Sequence, residues 1–209
     1  IRLGYGREAV TSSYDALNNH VVSTTNQLNK TVGYGNDAYG QATSVTSPSG
    51  EVIRYAYDGQ ERLRTVTDNA GNLTTYGLDA NGNVLTVNTK APSGTLYNQG
   101  SFVYDEKNRL KAEKNASSSV VSSYAYDLSG RLTQKTNASG STVSLEYGPL
   151  GLLKTLRLSG NETYGFSYDL EGRRKQATVS KTPAGPISHT FDYDYDKVGN
   201  LISSVEKDG

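Results

Sequence analysis

A nine-residue phrase recurs nine times along this chain: an aromatic, a spacer, then Tyr-Asp-x-x-Gly-Arg-Leu. Residues 124–132 carry it in full. Its anchor falls at Tyr14, Asn36, Tyr57, Leu78, Tyr104, Tyr126, Tyr147, Tyr168 and Tyr195, at spacings of 21 to 27 residues. A fixed period in that range marks a repeat architecture, in which one supersecondary unit is stacked many times. Any function is then expected to belong to the array and not to one site.

Asp follows the anchor in eight of the nine units: Asp15, Asp37, Asp58, Asp79, Asp105, Asp127, Asp169 and Asp196; Gly148 is the exception. Three positions later stands Gly40, Gly82, Gly130, Gly151, Gly172 or Gly199, or else Asn18, Asn108 or Glu61. Asp favours the first place of a type I turn and Gly the fourth. A type I turn closed by a left-handed residue joins many hairpins, and Asn is among the few other residues that adopt that conformation. These Asp and Gly residues are therefore read as structural turn positions. Glu61 fits poorly, so its turn is expected to be strained or of another type.

A second aromatic precedes the anchor by two places in seven units: Tyr34, Tyr55, Tyr76, Phe102, Tyr124, Phe166 and Tyr193. Residues i and i+2 share one face of a strand. With the anchors Tyr57, Tyr104, Tyr126, Tyr147, Tyr168 and Tyr195, they predict a structural aromatic ladder of rings stacked across strands. The rest of each unit is polar, rich in Thr and Ser, and ends at a second turn, such as Pro48-Ser49-Gly50, Asn69-Ala70-Gly71, Ala138-Ser139-Gly140 or Ser159-Gly160. Each repeat is thus one β-hairpin. Insertions around residues 91–100 and 182–190 are expected to lengthen the loop at the second turn. No segment shows the 3.6-residue apolar period of a helix.

Composition narrows the function classes. Hydrophobic residues make up 34% of the 209, under the usual share of about 45–50%. The core should be thin, with walls of Tyr. Basic and acidic residues number 21 each, so nothing points to electrostatic capture of nucleic acid. There is no apolar run for a transmembrane helix and no Cys for disulfides or thiolate metal sites. His20 and His189 stand outside any motif, and no Gly-x-Ser-x-Gly elbow occurs. The chain reads as a non-enzyme with no catalytic residues, no cofactor and no metal. Asp192, Asp194 and Asp196 alternate onto one strand face, but Lys197 and Ser203 occupy the places where a calcium loop needs Gly and Glu.

The Tyr-Asp-x-x-Gly-Arg-Leu phrase, nine times in register, resembles the YD repeat, also called the RHS repeat. The resemblance spans residues 14–209. The family includes bacterial polymorphic toxins, shells of insecticidal toxin complexes, cell-wall-associated bacterial proteins and teneurins. It implies an all-β fold: tandem hairpins forming one long curved antiparallel sheet, a segment of a spiral shell. It also implies a secreted or cell-surface setting and an enclosed toxin or other cargo. The self-cleavage motif of complete toxin shells contains Asp-Pro, a dipeptide absent here.

The residues lead to a similar shape. Nine hairpins give about 18 strands, and open twisted sheets rarely exceed about 10 without curling or splitting. At about 4.8 Å per strand the sheet would be on the order of 85 Å wide. We expect residues 1–209 to be a single array, a fragment of a longer one. Its partners would be flanking repeats of its parent or other copies joined edge to edge, since cut arrays expose strand edges. The alternative is a binding module that recognises glycan or protein through Tyr-rich faces and loops.

Overall fold

The computed structural model describes residues 10–17, 19–183 and 185–209, all in strands, turns or irregular segments. Two compact units divide the chain, Ile1–Phe102 and Val103–Gly209. In the first lie β1 (Thr11–Tyr14), β2 (Val21–Thr25), β3 (Thr31–Asn36), β4 (Ala42–Thr46), β5 (Val52–Tyr57), β6 (Leu63–Thr67), β7 (Leu73–Leu78), β8 (Val84–Lys90) and most of β9 (Leu96–Tyr104). In the second lie β10 (Leu110–Lys114), β11 (Val120–Tyr126), β12 (Leu132–Asn137), β13 (Thr142–Tyr147), β14 (Leu153–Leu158), β15 (Thr163–Tyr168), β16 (Arg174–Ser180), β17 (Ile187–Tyr195) and β18 (Leu201–Asp208). Inside each unit every strand pairs antiparallel with the next in sequence. No helix of the described residues is long and apolar enough to cross a membrane.

The two hairpin ends share one turn. At Asp127 the backbone N–H donates to Arg131 O, and Gly130 N–H donates back to Asp127 O. At Asn137 the same pair of bonds runs to Ser141 and from Gly140. The closing residue is left-handed at Gly40, Gly82, Asn108, Gly130, Gly151, Gly172 and Gly199. At Glu61, where a strained turn or one of another type is expected, the turn makes the same two bonds and Glu61 is left-handed at φ 62°, the strained alternative. The turn's hydrogen bonds thus impose the conformation on a residue that dislikes it. In the first hairpin Asn18 lies outside the described residues; Asn19 has φ 58°, and the turn closes on His20, one place further along.

The turn expected at Ser159-Gly160 spans residues 158–162, with Asn161 as its left-handed residue. One expectation about the second turns needs correction. The insertion near residue 91 does not lengthen a loop: Ala91–Thr95 is the standard turn, closed by Gly94. The additional residues extend β8 and β9, which have 7 and 9 residues. Near residue 182 the insertion does open a wider loop, after which β17 is also 9 residues long.

Eight hairpins closed by a Tyr-Asp turn carry a register shift beside the anchor. In β13–β14, for example, Tyr147 faces Leu153 and Glu146 faces Thr155, which leaves Lys154 without a cross-strand partner. Such a bulge bends the strand and re-aims the extra side chain.

Burial is as thin as composition foretold. Among the described residues only Ala177, Thr89 and Ser122 are buried, and no large side chain is fully enclosed. Each unit is a single layer, so neighbouring hairpins must hold one another through main-chain ladders and contacts along the sheet.

Candidate functional site

The residues of the repeated phrase meet along the margin formed by the Tyr-Asp turns. Each Asp accepts hydrogen bonds from the backbone of its own turn. At Asp58, Oδ1 takes the N–H of Gln60 at 2.9 Å and of Arg62 at 3.1 Å. The other carboxylate oxygen takes Arg62 Nε at 2.9 Å. Asp105–Arg109, Asp127–Arg131 and Asp169–Arg173 repeat that pair at 2.6 to 2.7 Å. The guanidinium then reaches the following hairpin: Arg62 Nη1 donates to Asp79 O, Arg109 Nη1 to Asp127 O and Arg173 Nη1 to Asp196 O. It also covers the next anchor ring, with Arg109 and Arg131 each 4.6 Å from the centroids of Tyr126 and Tyr147, and Arg173 5.0 Å from that of Tyr195. These are cation–π distances.

The anchor ring reaches back the other way. Hydroxyls of Tyr57, Tyr126, Tyr147, Tyr168 and Tyr195 donate to the carbonyls of Ala42, Leu110, Leu132, Leu153 and Arg174, at 2.8 to 2.9 Å. Each acceptor belongs to the preceding repeat. Where Asn36 replaces the anchor Tyr, its amide donates to Val21 O at 2.9 Å, so the link survives the substitution. At Tyr126, Tyr147 and Tyr195 one turn therefore grips the next twice, by Arg forward and by Tyr backward.

Charges follow this geometry. The Arg62 side-chain hydrogen bond holds the Asp58 carboxyl down at about 2, and Arg109 does the same for Asp105. Asn83 and Asn200, standing where other units have Arg, lower Asp79 and Asp196 by donating their amides. Burial raises the Tyr126 hydroxyl.

The aromatic residues do not stack ring on ring between directly paired strands. Tyr34, Tyr55 and Tyr76 face Val45, Val66 and Val87, while Tyr124 faces Lys135, Phe166 faces Ala177 and Tyr193 faces Ser204. Anchors Tyr57, Tyr126 and Tyr147 face Leu63, Leu132 and Leu153, Tyr168 faces Arg174, and Tyr195 faces Leu201. The rings occupy alternate strands because the period is one hairpin, two strands long. What faces or covers them is aliphatic, cationic or, at Tyr193, a serine, with Lys135 Nζ 5.4 Å from the Tyr124 centroid. Phe102 and Tyr104 lie near the end of β9. Sequence reasoning gave the four Arg residues no role, although their recurrence after the turn Gly was a readable signal.

Among the described residues no group of three His, Cys, Asp or Glu side chains could hold a metal ion. Asp192 is engaged by Lys207 at 2.7 Å and Gln176 at 2.8 Å, and Asp196 belongs to its turn. His20 stands 3.7 Å from Asp15, and His189 lies beside Glu206 and Asp208 near the end of β18.

The pattern described as RHS Repeat matches residues 37–72, 104–142 and 126–161. No curated protein matches the chain in sequence. Among solved structures, the TcdB2-TccC3-TEV crystal structure aligns with 90% of this chain at 17% identity and a TM-score of 0.63. A Tc holotoxin pore of Photorhabdus luminescens aligns with 95% at 17% identity and a TM-score of 0.64. The chain spans 12% of the length of each of those chains.

Proposed function

We propose that this chain, which belongs to the RHS-repeat family, is a stretch of shell wall that encloses or displays a toxin or other cargo domain. The observation that carries this reading is the two-way Arg and Tyr link between successive turns. In most repeats the Asp, Arg and Tyr of the phrase are engaged in the turns and in holding the neighbouring repeat, as a wall requires. The setting that goes with this role is bacterial and exported, and the partners are flanking repeats and the enclosed domain.

Glycan recognition through the Tyr faces is the weaker reading. Five anchor hydroxyls that would meet a sugar already donate to main-chain carbonyls, and the rings of Tyr126, Tyr147 and Tyr195 are covered by guanidinium.

Proteolysis of the full-length parent tests the wall. A domain outside the repeats should survive mild protease while the repeats are folded and be cut once they are unfolded. Cleavage of that domain at equal rates in both states would overturn the enclosing role.

A further inference from the structure

One repeat of the second unit breaks the pattern in two places at once. Gly148 stands where the other turns have Asp, and Leu152 where Arg109, Arg131 and Arg173 stand. The backbone of the turn is unaltered, with Gly148 N–H bonded to Leu152 O and Gly151 N–H to Gly148 O. Tyr168 still donates to Leu153 O. Only the charged cover of the ring is missing.

Leu152 extends in the direction that the arginines take. A Cβ placed on Gly130 would lie 3.8 Å from Arg109 Nη1, one on Gly151 3.5 Å from Arg131 Nη1, and one on Gly172 3.7 Å from Leu152 Cδ1. Beside Leu152 lies a cavity of ≈ 350 Å³; cavities of similar volume lie at the turns of Asp37 and Asp105, and what sets this one apart is what lines it. Pro149, Leu150, Leu152, Phe166, Tyr168 and Leu170 form its apolar walls. Leu150 and Leu170 flank it, both exposed, as Leu17 and Leu128 are at other turns. Small-molecule sites are concave and mostly apolar, with a few placed polar groups.

The polar groups set the sign of the ligand. Lys154, the extra residue of the β13–β14 bulge, lines the cavity and has no ion-pair partner among the described residues. Arg174 lies 4.9 Å from the Phe166 ring centroid and adds a second positive charge nearby. The one carboxylate in the lining, Asp169, is already held by Arg173 at 2.6 Å. We propose that this cavity is a binding site for a small amphiphilic carboxylate, whose apolar body lies against Tyr168 and Phe166 while its carboxylate meets Lys154. The missing Asp at position 148 and the free lysine disfavour a cation of the same shape.

The test titrates the intact chain with 4-phenylbutyrate and, separately, 4-phenylbutylamine, following backbone amide shifts by NMR. Saturable shifts should appear at Leu150, Leu152, Asp169 and Leu170, and the amine should bind about fivefold more weakly, the scale of one exposed ion pair. Leu152→Arg should lay a guanidinium over the Tyr168 ring, as Arg131 does over Tyr147, and so displace the apolar body of the ligand and weaken the shifts. Lys154→Gln, an exposed change that leaves the strand pairing intact, should bring acid and amine within about twofold of each other. The proposal is overturned if no saturable shift occurs at those amides, if the amine binds as tightly as the acid, or if Lys154→Gln leaves the preference for the acid unchanged.

Discussion

At the scale of single residues, the turn's closing position decides most. Gly130 has φ 85°, and a Cβ there would meet nothing nearer than 3.8 Å. Space is available, so the cost of substitution is conformational. Gly130→Asn should be tolerated, whereas Gly130→Val should lower stability by a further 1–2 kcal/mol, roughly the left-handed penalty of a branched residue. Equal melting temperatures for the two variants would refute this. Glu61 provides the converse case. It is held at φ 62°, so Glu61→Gly should raise the melting temperature by about 1–3 °C, the relieved strain being offset in part by glycine's entropy. A lower melting temperature would show that the Glu61 side chain stabilises the turn in some other way.

Between elements, the Asp–Arg pair gives the array its acid sensitivity. Asp58 and Asp105 titrate at about 2 in the folded chain, below the unfolded value of about 3.9. A depressed folded pKa means that the unfolded state binds protons first. The contribution is therefore complete above about pH 4 and is lost as pH falls from about 4 toward 2. Urea midpoints should be level from pH 7 to pH 5 and then drop, and Asp58→Asn should flatten part of that drop. A midpoint that does not fall between pH 4 and pH 2 would contradict the pairing seen here. The irregular turn allows a gain-of-function check on the same element. Gly148→Asp with Leu152→Arg restores the pair over Tyr168 and should raise the melting temperature by more than the two single changes summed, since paired charges couple. Strict additivity would mean that the forward grip contributes nothing.

For the whole molecule, scant burial makes stability a nearest-neighbour property. Repeat arrays behave as sums of unit and interface terms. Gly130→Val should speed amide exchange chiefly in β11 through β13 and leave β3 through β6 unchanged. Uniform acceleration across both units would instead reveal one cooperative body. The same logic bears on His20, His189 and Asp192, all part-exposed among the described residues. A single layer offers no enclosed place in which to desolvate them.

Hairpin number, turn chemistry and strand polarity were legible in the sequence because they are local: Asp, Gly and Asn at fixed offsets encode backbone conformations that neighbours scarcely alter. Glu61 escaped that reading since its turn is imposed by two main-chain bonds, not chosen by its side chain. The partners of the aromatic rings also had to come from the tertiary structure. A period of one hairpin places successive rings two strands apart, so Tyr126 and Tyr147 are covered not by another ring but by Arg109 and Arg131, each just ahead of the strand paired with the ring's own. Register shifts beside the anchors, and with them the position of Lys154, likewise arise only when two strands pair. The sequence alone determined a tandem β-hairpin array, and the pairing of its strands decided which side chains hold one hairpin to the next and where a place is left open between them.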